Sequence, residues 1–454
     1  MLAACGGSGS ASPTSGKSSS GSSSTTSLPS FPLGAAQKAS GVVEITLWHS
    51  MTNANLTTLE KLTNQFNASQ QKIKVKLLNQ SSYTDTFTAY RAGLGSGNLS
   101  NLVQMESILL QQMIDSRSIV PAASALKADG SFDASDLLSS TTAYFTVDGI
   151  QYAMPWNCSC QILYYNQKTF RAAGLDPSKP PASFEEYRSM AEAAGKVSGV
   201  AYGTAIKLTA SNVEDWTAQA GSLLLNKENG RSGRATAVEF GGTTGKQIFS
   251  FLEEMFSSKV AEATLATNYD NLIAIGNGKA AMTIDTSAAL GTVLDLLGGG
   301  QYHNVTLGVG PLPGLNGPGE GVPYGGAGLY IVKHSSPEQQ DAAWQYIKFL
   351  LTPDAMATWA IGSGYIPITH SAVKTAAMKK AFSDTPQYKV AYDQLAATKA
   401  TPATAGAVSG ALAQVETDLG NALSLVSNGT SGSKALSQAV TQSNQAIASY
   451  NSSL

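Results

Sequence analysis

The sequence predicts an α/β protein of two lobes, and three observations carry that expectation. The chain has 454 residues, of which about 410 are patterned for folding, beyond the ~250–300 at which a single core stops growing. The first patterned stretch reads strand, helix, strand, helix, strand, the order of parallel strands joined by crossover helices. Only 13% of the residues are charged, against about 25% in an average soluble protein. Ser, Thr, Asn, Gln and Gly must then carry the surface, which suits a protein working outside the cytoplasm.

The elements follow in order. Residues 1–41 carry no strand or helix pattern. Within them, Leu2-Ala-Ala-Cys5 has the form of the end of a bacterial lipoprotein signal, so Cys5 is the expected lipidated residue and the Ser/Gly run a flexible tether. Val42–Leu47 alternates and holds β-branched residues, as a strand does. Leu56, Leu59, Leu62 and Phe66 recur at helical spacing. Ile73, Val75 and Leu77 alternate as a second strand. Tyr83–Leu94 is helical, and Gly93-Leu-Gly-Ser-Gly97 terminates it. That glycine run closes a helix, whereas a dinucleotide loop opens one. Leu102–Met105 is a third strand. Phe145–Met154 is a hairpin turning on Asp148-Gly149. Ser183-Phe-Glu-Glu186 and Ser336-Pro337-Glu-Gln339 are capping boxes that open helices. Ala280–Ile284, Val305–Leu312 and Gly326–Val332 are further strands, and the Ala-rich tail from about Tyr388 is helical.

Charge and motif exclude several classes. Lys+Arg is 29 and Asp+Glu is 31, a net charge of −2, so no charge excess draws the chain to nucleic acid or anionic lipid. No apolar run approaches the ~18–20 residues of a membrane span; a lipid on Cys5 would anchor the chain, not thread it. His49, His303, His334 and His370 are scattered outside metal-binding spacings. No nucleophile elbow is present, and no cofactor is expected. Cys158 and Cys160, two apart in one predicted strand, would share a face, where a bridge is strained; free thiols are expected.

What stands out is a series of aromatic, small polar and acidic residues at strand ends and loops: Trp48, Tyr83, Glu106, Trp156, Ser159, Thr286, Gly326 and Tyr365. In α/β lobes ligands sit beyond the carboxyl ends of parallel strands. Aromatic faces there stack on sugars, and hydroxyls with a carboxylate grip polyols.

The order of several segments brings a family into view. They are Leu47-Trp-His-Ser-Met51, Met154-Pro-Trp-Asn157, Leu163-Tyr-Tyr-Asn166, Ala173-Gly-Leu-Asp-Pro177, Gly278-Lys-Ala-Ala-Met-Thr283, Gly325-Gly-Ala-Gly-Leu329 and Gly364-Tyr-Ile-Pro-Ile-Thr369. From about Val42 to Tyr450 the chain resembles the extracellular solute-binding proteins of bacterial ABC importers, and within them most closely the members that bind glycerol phosphates. The resemblance implies a type II periplasmic-binding fold, maltose-binding-protein-like, with a hinge and an interlobe cleft. The expected first lobe is 42–153 plus 313–351, and the second 154–312 plus 352–454. It implies a monomer that hands a sugar, polyol or glycerol-phosphate ligand to the transmembrane subunits of a permease, and no catalysis.

The same resemblance places the pocket on Tyr83, Glu106, Ser159, Thr286, Gly326 and Tyr365. Tyr83 and Ser159 would hydrogen-bond the ligand, Glu106 would grip hydroxyls, and the Gly326 backbone would approach closely. Two departures bear on the ligand. The family's phosphate-gripping arginine falls near Val408 in Ala405-Gly-Ala-Val-Ser409, and no arginine follows Arg234. A hydrophobe cannot replace a bidentate guanidinium. A family tryptophan is also replaced in the region of Lys207-Leu208, where Lys207 is a candidate substitute cation. A neutral sugar, polyol or glycerol-linked head group is thus at least as well matched as glycerol 3-phosphate. The rival classes are a secreted carbohydrate-active enzyme, which would turn its ligand over, and a binding module that feeds a sensor.

Overall fold

The computed structural model describes residues 28–298 and 305–454. Cys5 and His303 lie outside them. Thirteen strands are formed among the described residues. They are β1 (Val43–His49), β2 (Ile73–Asn79), β3 (Leu102–Glu106), β4 (Ile119–Val120), β5 (Thr146–Val147), β6 (Ile150–Gln151), β7 (Met154–Ser159), β8 (Gln161–Asn166), β9 (Tyr202–Lys207), β10 (Ala261–Thr264), β11 (Ala280–Thr286), β12 (Leu307–Gly310) and β13 (Gly325–Val332).

The first sheet runs β2-β1-β3-β13-β4, with β7 added along β13. β1 is parallel to β2 and β3, while β13 enters antiparallel to β3. The alternation read in the sequence is what makes this sheet. Val43, Ile45 and Leu47 point inward while Glu44 is exposed, and Ile73 and Val75 alternate with exposed Lys74 and Lys76. Helix Asn53–Ser69 covers the sheet with Leu59, Leu62 and Phe66. Helix Tyr83–Ser96 stops at Gly97, whose φ of 75° suits glycine and whose N–H donates to Gly93 O at 2.8 Å. Asp148 and Gly149 turn the β5–β6 hairpin with φ of 50° and 75°.

The second sheet runs β10-β9-β11-β8-β12. β9 is parallel to β10 and β11, and β8 is antiparallel to β11 and β12. Helix Phe184–Ala194 opens on Ser183, whose Oγ accepts the Glu186 N–H; the Glu186 carboxylate reaches back to the Ala182 N–H at 2.7 Å. The two C-terminal helices, Leu412–Ser427 and Gly432–Ser452, pack as a pair on helix Thr243–Ser257, and the first also meets helix Ala210–Gln219.

The chain crosses between the sheets at positions that differ from the expected boundaries. β7 pairs with β13 in the first sheet, and β8 with β11 and β12 in the second. The first crossing is therefore at Cys160, not before Met154. The thiols of Cys158 and Cys160 are free, but they do not share one strand, because the chain changes sheets between them. Helix Pro353–Ser363, expected with the second lobe, packs on helix Asn53–Ser69 of the first; a Cβ on Gly362 would lie 2.4 Å from Thr58 Oγ1. Thr369 then bridges to Leu137, and helix Gln387–Ala396 reaches β12. Part of the stretch up to residue 41 that was expected to be tether is folded, with helix Ala35–Lys38 against helix Pro337–Leu350. Phe31 packs edge-on against Trp344, and the buried Ala36 donates its N–H to Asp341 Oδ2 at 2.9 Å.

Candidate ligand-binding site

A cavity of about 170 Å³ lies between the two sheets. Glu106, Tyr324 and Gly326 face it from the first sheet and its β13 approach, Gln161 and Thr286 from the second, and Glu214, Asp215 and Glu416 from the two helices above. Its size is on the scale of the ~150 Å³ space that accepts one benzene ring. One sugar ring or a short polyol fits.

Strand ends place these residues. Glu106 is the last residue of β3, opposite Ala327 of β13. Thr286 ends β11 opposite Gln161, the first residue of β8. The Thr286 hydroxyl accepts the Ala288 N–H at 3.3 Å, which leaves its hydrogen free to donate. Ser159 ends β7 and lines the cavity. Gly326 has φ 109°, and a Cβ there would stand 2.0 Å from Asn157 O. Its glycine identity is required first by the approach of β7, before any ligand is considered.

The lining is acidic. No Lys, Arg or His is among its residues, which include Glu106, Glu214, Asp215 and Glu416. Burial lifts the Glu106 carboxyl from its ordinary 4.5 to about 7. Glu214 is raised by burial and then by Glu106, and Glu416 by burial, then by Glu214 and Glu106. Asp215 is raised by burial, against the Gln161 N–H that it accepts at 3.2 Å. Lys207 does not act as the substitute cation. Its Nζ is 3.1 Å from Asp285 Oδ1 and lies over the Tyr269 ring. Nor does an arginine replace Val408, which is buried and donates its N–H to Asn229 O at 2.9 Å. The nearby Arg231 guanidinium is consumed by backbone carbonyls: Thr146 at 2.6 Å, Ala143 and Tyr144 at 3.0 Å, Gly406 at 3.2 Å, and Ala405.

Tyr83 and Tyr365 do not line this cavity. They lie beside it, close enough to each other and to Glu106 for Glu106's charge to act on both phenols. Trp48 and Trp156 are core residues, 8% and 0% exposed. Trp156 stacks on Trp359 at 4.3 Å, and Trp359 stacks in turn on Tyr365 at 5.6 Å. Sequence reasoning missed Gln161, Glu214, Asp215 and Glu416. A signal for the last three was present: they are acids on helix faces that are otherwise nearly uncharged. His49, a candidate polar residue, is fully buried and lowered by burial to about 4, so it is neutral.

The sequence matches the family of bacterial extracellular solute-binding proteins over residues 61–390. The chain belongs to that family. This solute-binding protein is 27% identical over 420 residues to the sn-glycerol-3-phosphate-binding periplasmic protein UgpB of Salmonella typhimurium, covering 90% of this chain and 94% of the relative. Its fold matches UgpB from Mycobacterium tuberculosis, in complex with glycerophosphocholine, with a TM-score of 0.72 and 21% identity, over 91% of this chain and 100% of the other. The sugar-binding protein MalE from Xanthomonas citri gives a TM-score of 0.76 at 20% identity, covering 90% and 98%. The expected two-lobe, maltose-binding-protein-like fold is thereby shown for this solute-binding protein. Among the described residues, no helix is long and apolar enough to cross a membrane.

Proposed function

We propose that this solute-binding protein captures a single-ring sugar, a polyol or a glycerol-linked head group in the interlobe cavity and delivers it to the transmembrane subunits of an ABC permease. The observation that carries the reading is the two-sided lining: Glu106 and Gly326 come from one sheet, Gln161 and Thr286 from the other. A ligand touching both sides gains its full contacts only when the lobes are together, so it draws the hinge closed by differential affinity. The family's relatives include a glycerol-phosphate binder and a sugar binder, which agrees with a polar ligand of this size. An acidic lining without a cation argues against a free phosphate monoester. In this reading Tyr83 and Tyr365 reach the ligand in the closed state, Cys5 carries a lipid that holds the chain to the outer face of the cell membrane, and the chain acts as a monomer.

The test is thermal unfolding of the folded domain against neutral monosaccharides, polyols, sn-glycerol 3-phosphate and glycerophosphodiesters, with the ligand analysed afterwards. Ligand at 100 times Kd adds about 2.7 kcal/mol. The expected result is a shift with recovery of intact ligand. Recovery of a hydrolysed product instead would convert the reading to a carbohydrate-active enzyme.

A further inference from the structure

The cavity places acids together from separate parts of the chain. Glu106 ends a strand of the first sheet, Glu214 and Asp215 sit on helix Ala210–Gln219, and Glu416 sits on helix Leu412–Ser427. Glu214 and Glu416 each feel the charge of Glu106, and both act on the Tyr144 phenol, which also lines the cavity. No basic side chain lines the space, and the Arg231 guanidinium beside it lies over the Tyr144 ring and is held by backbone carbonyls. Crowding carboxyls in a partly dry space opposes folding unless something else compensates.

A second observation is independent of these charges. Gln161 is 7% exposed and lines the cavity, and its Oε1 accepts no hydrogen bond. Its backbone is fully used, the N–H by Asp215 and the C=O by Gln394 Nε2 at 2.8 Å. Glu214 Oε1 is a second buried acceptor without a donor. A buried amide oxygen left unpaired costs about 1–3 kcal/mol, so the site lacks a hydrogen-bond donor. The group that satisfies all of this is a donor that also carries positive charge.

We propose that the ligand bears a protonated amine, held by the Glu214 and Glu416 carboxylates and donating to Gln161 Oε1. This rests on the reading of the cavity as the ligand site and names the substrate class: an amino sugar or a glycerol-linked amino alcohol. The ammonium supplies N–H donors to unpaired acceptors and neutralises the repulsion among the acids. A zwitterionic diester carries such an ammonium together with its phosphate.

The experiment is isothermal titration of the full chain with matched pairs: D-glucosamine against D-glucose, and glycerophosphoethanolamine against sn-glycerol 3-phosphate. Glycerophosphocholine, cationic but without N–H, separates charge from donation. The expected result is at least a tenfold preference for the amine in one pair, falling at least fivefold in both Glu214→Gln and Glu416→Gln. Gln161→Leu should weaken the amine more than glycerophosphocholine. Circular dichroism and unliganded Tm of each variant show whether it is folded, and Glu416→Asp serves where Glu416→Gln is not. Equal affinity within both pairs overturns the amine and leaves the binding-protein reading standing. Binding of the neutral or purely anionic partner alone also overturns the amine. Conversion of any ligand to product overturns the binding-protein reading itself, and an absence of heat across the panel overturns the substrate class named here.

Discussion

Asn157 joins Tyr83 through a 2.9 Å hydrogen bond from its Nδ2 to the phenol oxygen, and that bond is one step of a longer chain. Gln104 Nε2 donates to Asn157 Oδ1 at 2.7 Å, and Ser50 N–H donates to Gln104 Oε1 at 2.9 Å. Each amide is thereby oriented, so the Asn157 NH₂ must face Tyr83. Three segments far apart in sequence fix one phenol beside Glu106. Asn157→Leu leaves the Gln104 NH₂ without its buried partner and should lower stability by about 1–3 kcal/mol. Tyr83→Phe should cost under about 1 kcal/mol, yet weaken the ligand if the phenol reaches it. Denaturant titration and calorimetric Kd on both variants check this; unchanged affinity in Tyr83→Phe removes Tyr83 from the site.

Gly326 has no room for a single added methyl group. Its φ is 109°, and the added Cβ of Gly326→Ala would meet the Asn157 carbonyl at 2.0 Å. Strand β7 must move away or β13 must change conformation. A loss of at least about 2 kcal/mol is expected, by strain at a conformation that L-residues avoid. Gly328→Ala is a useful comparison, because the atoms its Cβ would meet first belong to the Phe145 ring at 2.8 Å and not to backbone. Equal losses in the two variants would show that crowding alone, and not the backbone conformation, sets the cost.

The pH dependence of stability follows from the acids. Glu106 titrates near 7 when folded against 4.5 ordinarily, so between these values the folded state holds the extra proton. Stability contributed by such a group falls as pH rises. Glu214, Asp215 and Glu416 shift the same way. His49 opposes them, because its lowered value makes the unfolded state the better proton binder below 6.5. Above that pH its effect is spent. Urea midpoints without ligand should therefore decline from about pH 6.5 to pH 8, by no more than about 1.4 kcal/mol per pH unit per group. Glu106→Gln should flatten the decline, and a rise in stability over that range would contradict it.

Lys207 is a structural cation. It is buried with Asp285, which also accepts from Asn271 Nδ2 at 2.9 Å and from the Thr286 N–H at 2.8 Å. Lys207→Met strands that carboxylate and should cost about 3–5 kcal/mol. Adding Asp285→Asn should recover most of the loss. The relative affinities for anionic and neutral ligands should not change in the double variant, and a selective loss of phosphorylated ligands would restore Lys207 as a ligand contact.

Much of the architecture was legible because it depends on local pattern. The alternation of Ile73, Val75 and Leu77 states a strand whatever surrounds it, Asp148-Gly149 states a hairpin turn, and Ser336-Pro337-Glu-Gln339 closes its capping box with Ser336 Oγ accepting the Gln339 N–H. Four of the eight site residues read from the chain, Glu106, Ser159, Thr286 and Gly326, line the cavity. Trp48 and Trp156 could not be sorted from the core by type, since an aromatic at a strand end serves packing and recognition alike.

What the sequence by itself determined is the class of fold and the order of its elements. Only the tertiary structure decided that the chain changes sheets at Cys160, that helix Pro353–Ser363 belongs beside helix Asn53–Ser69, and that Lys207 is taken by Asp285. It alone brought Glu416 to Glu214 and Glu106. The reason is physical: hydrophobic period and turn chemistry act over a few residues, whereas a charge acts through space on whatever the completed fold sets beside it.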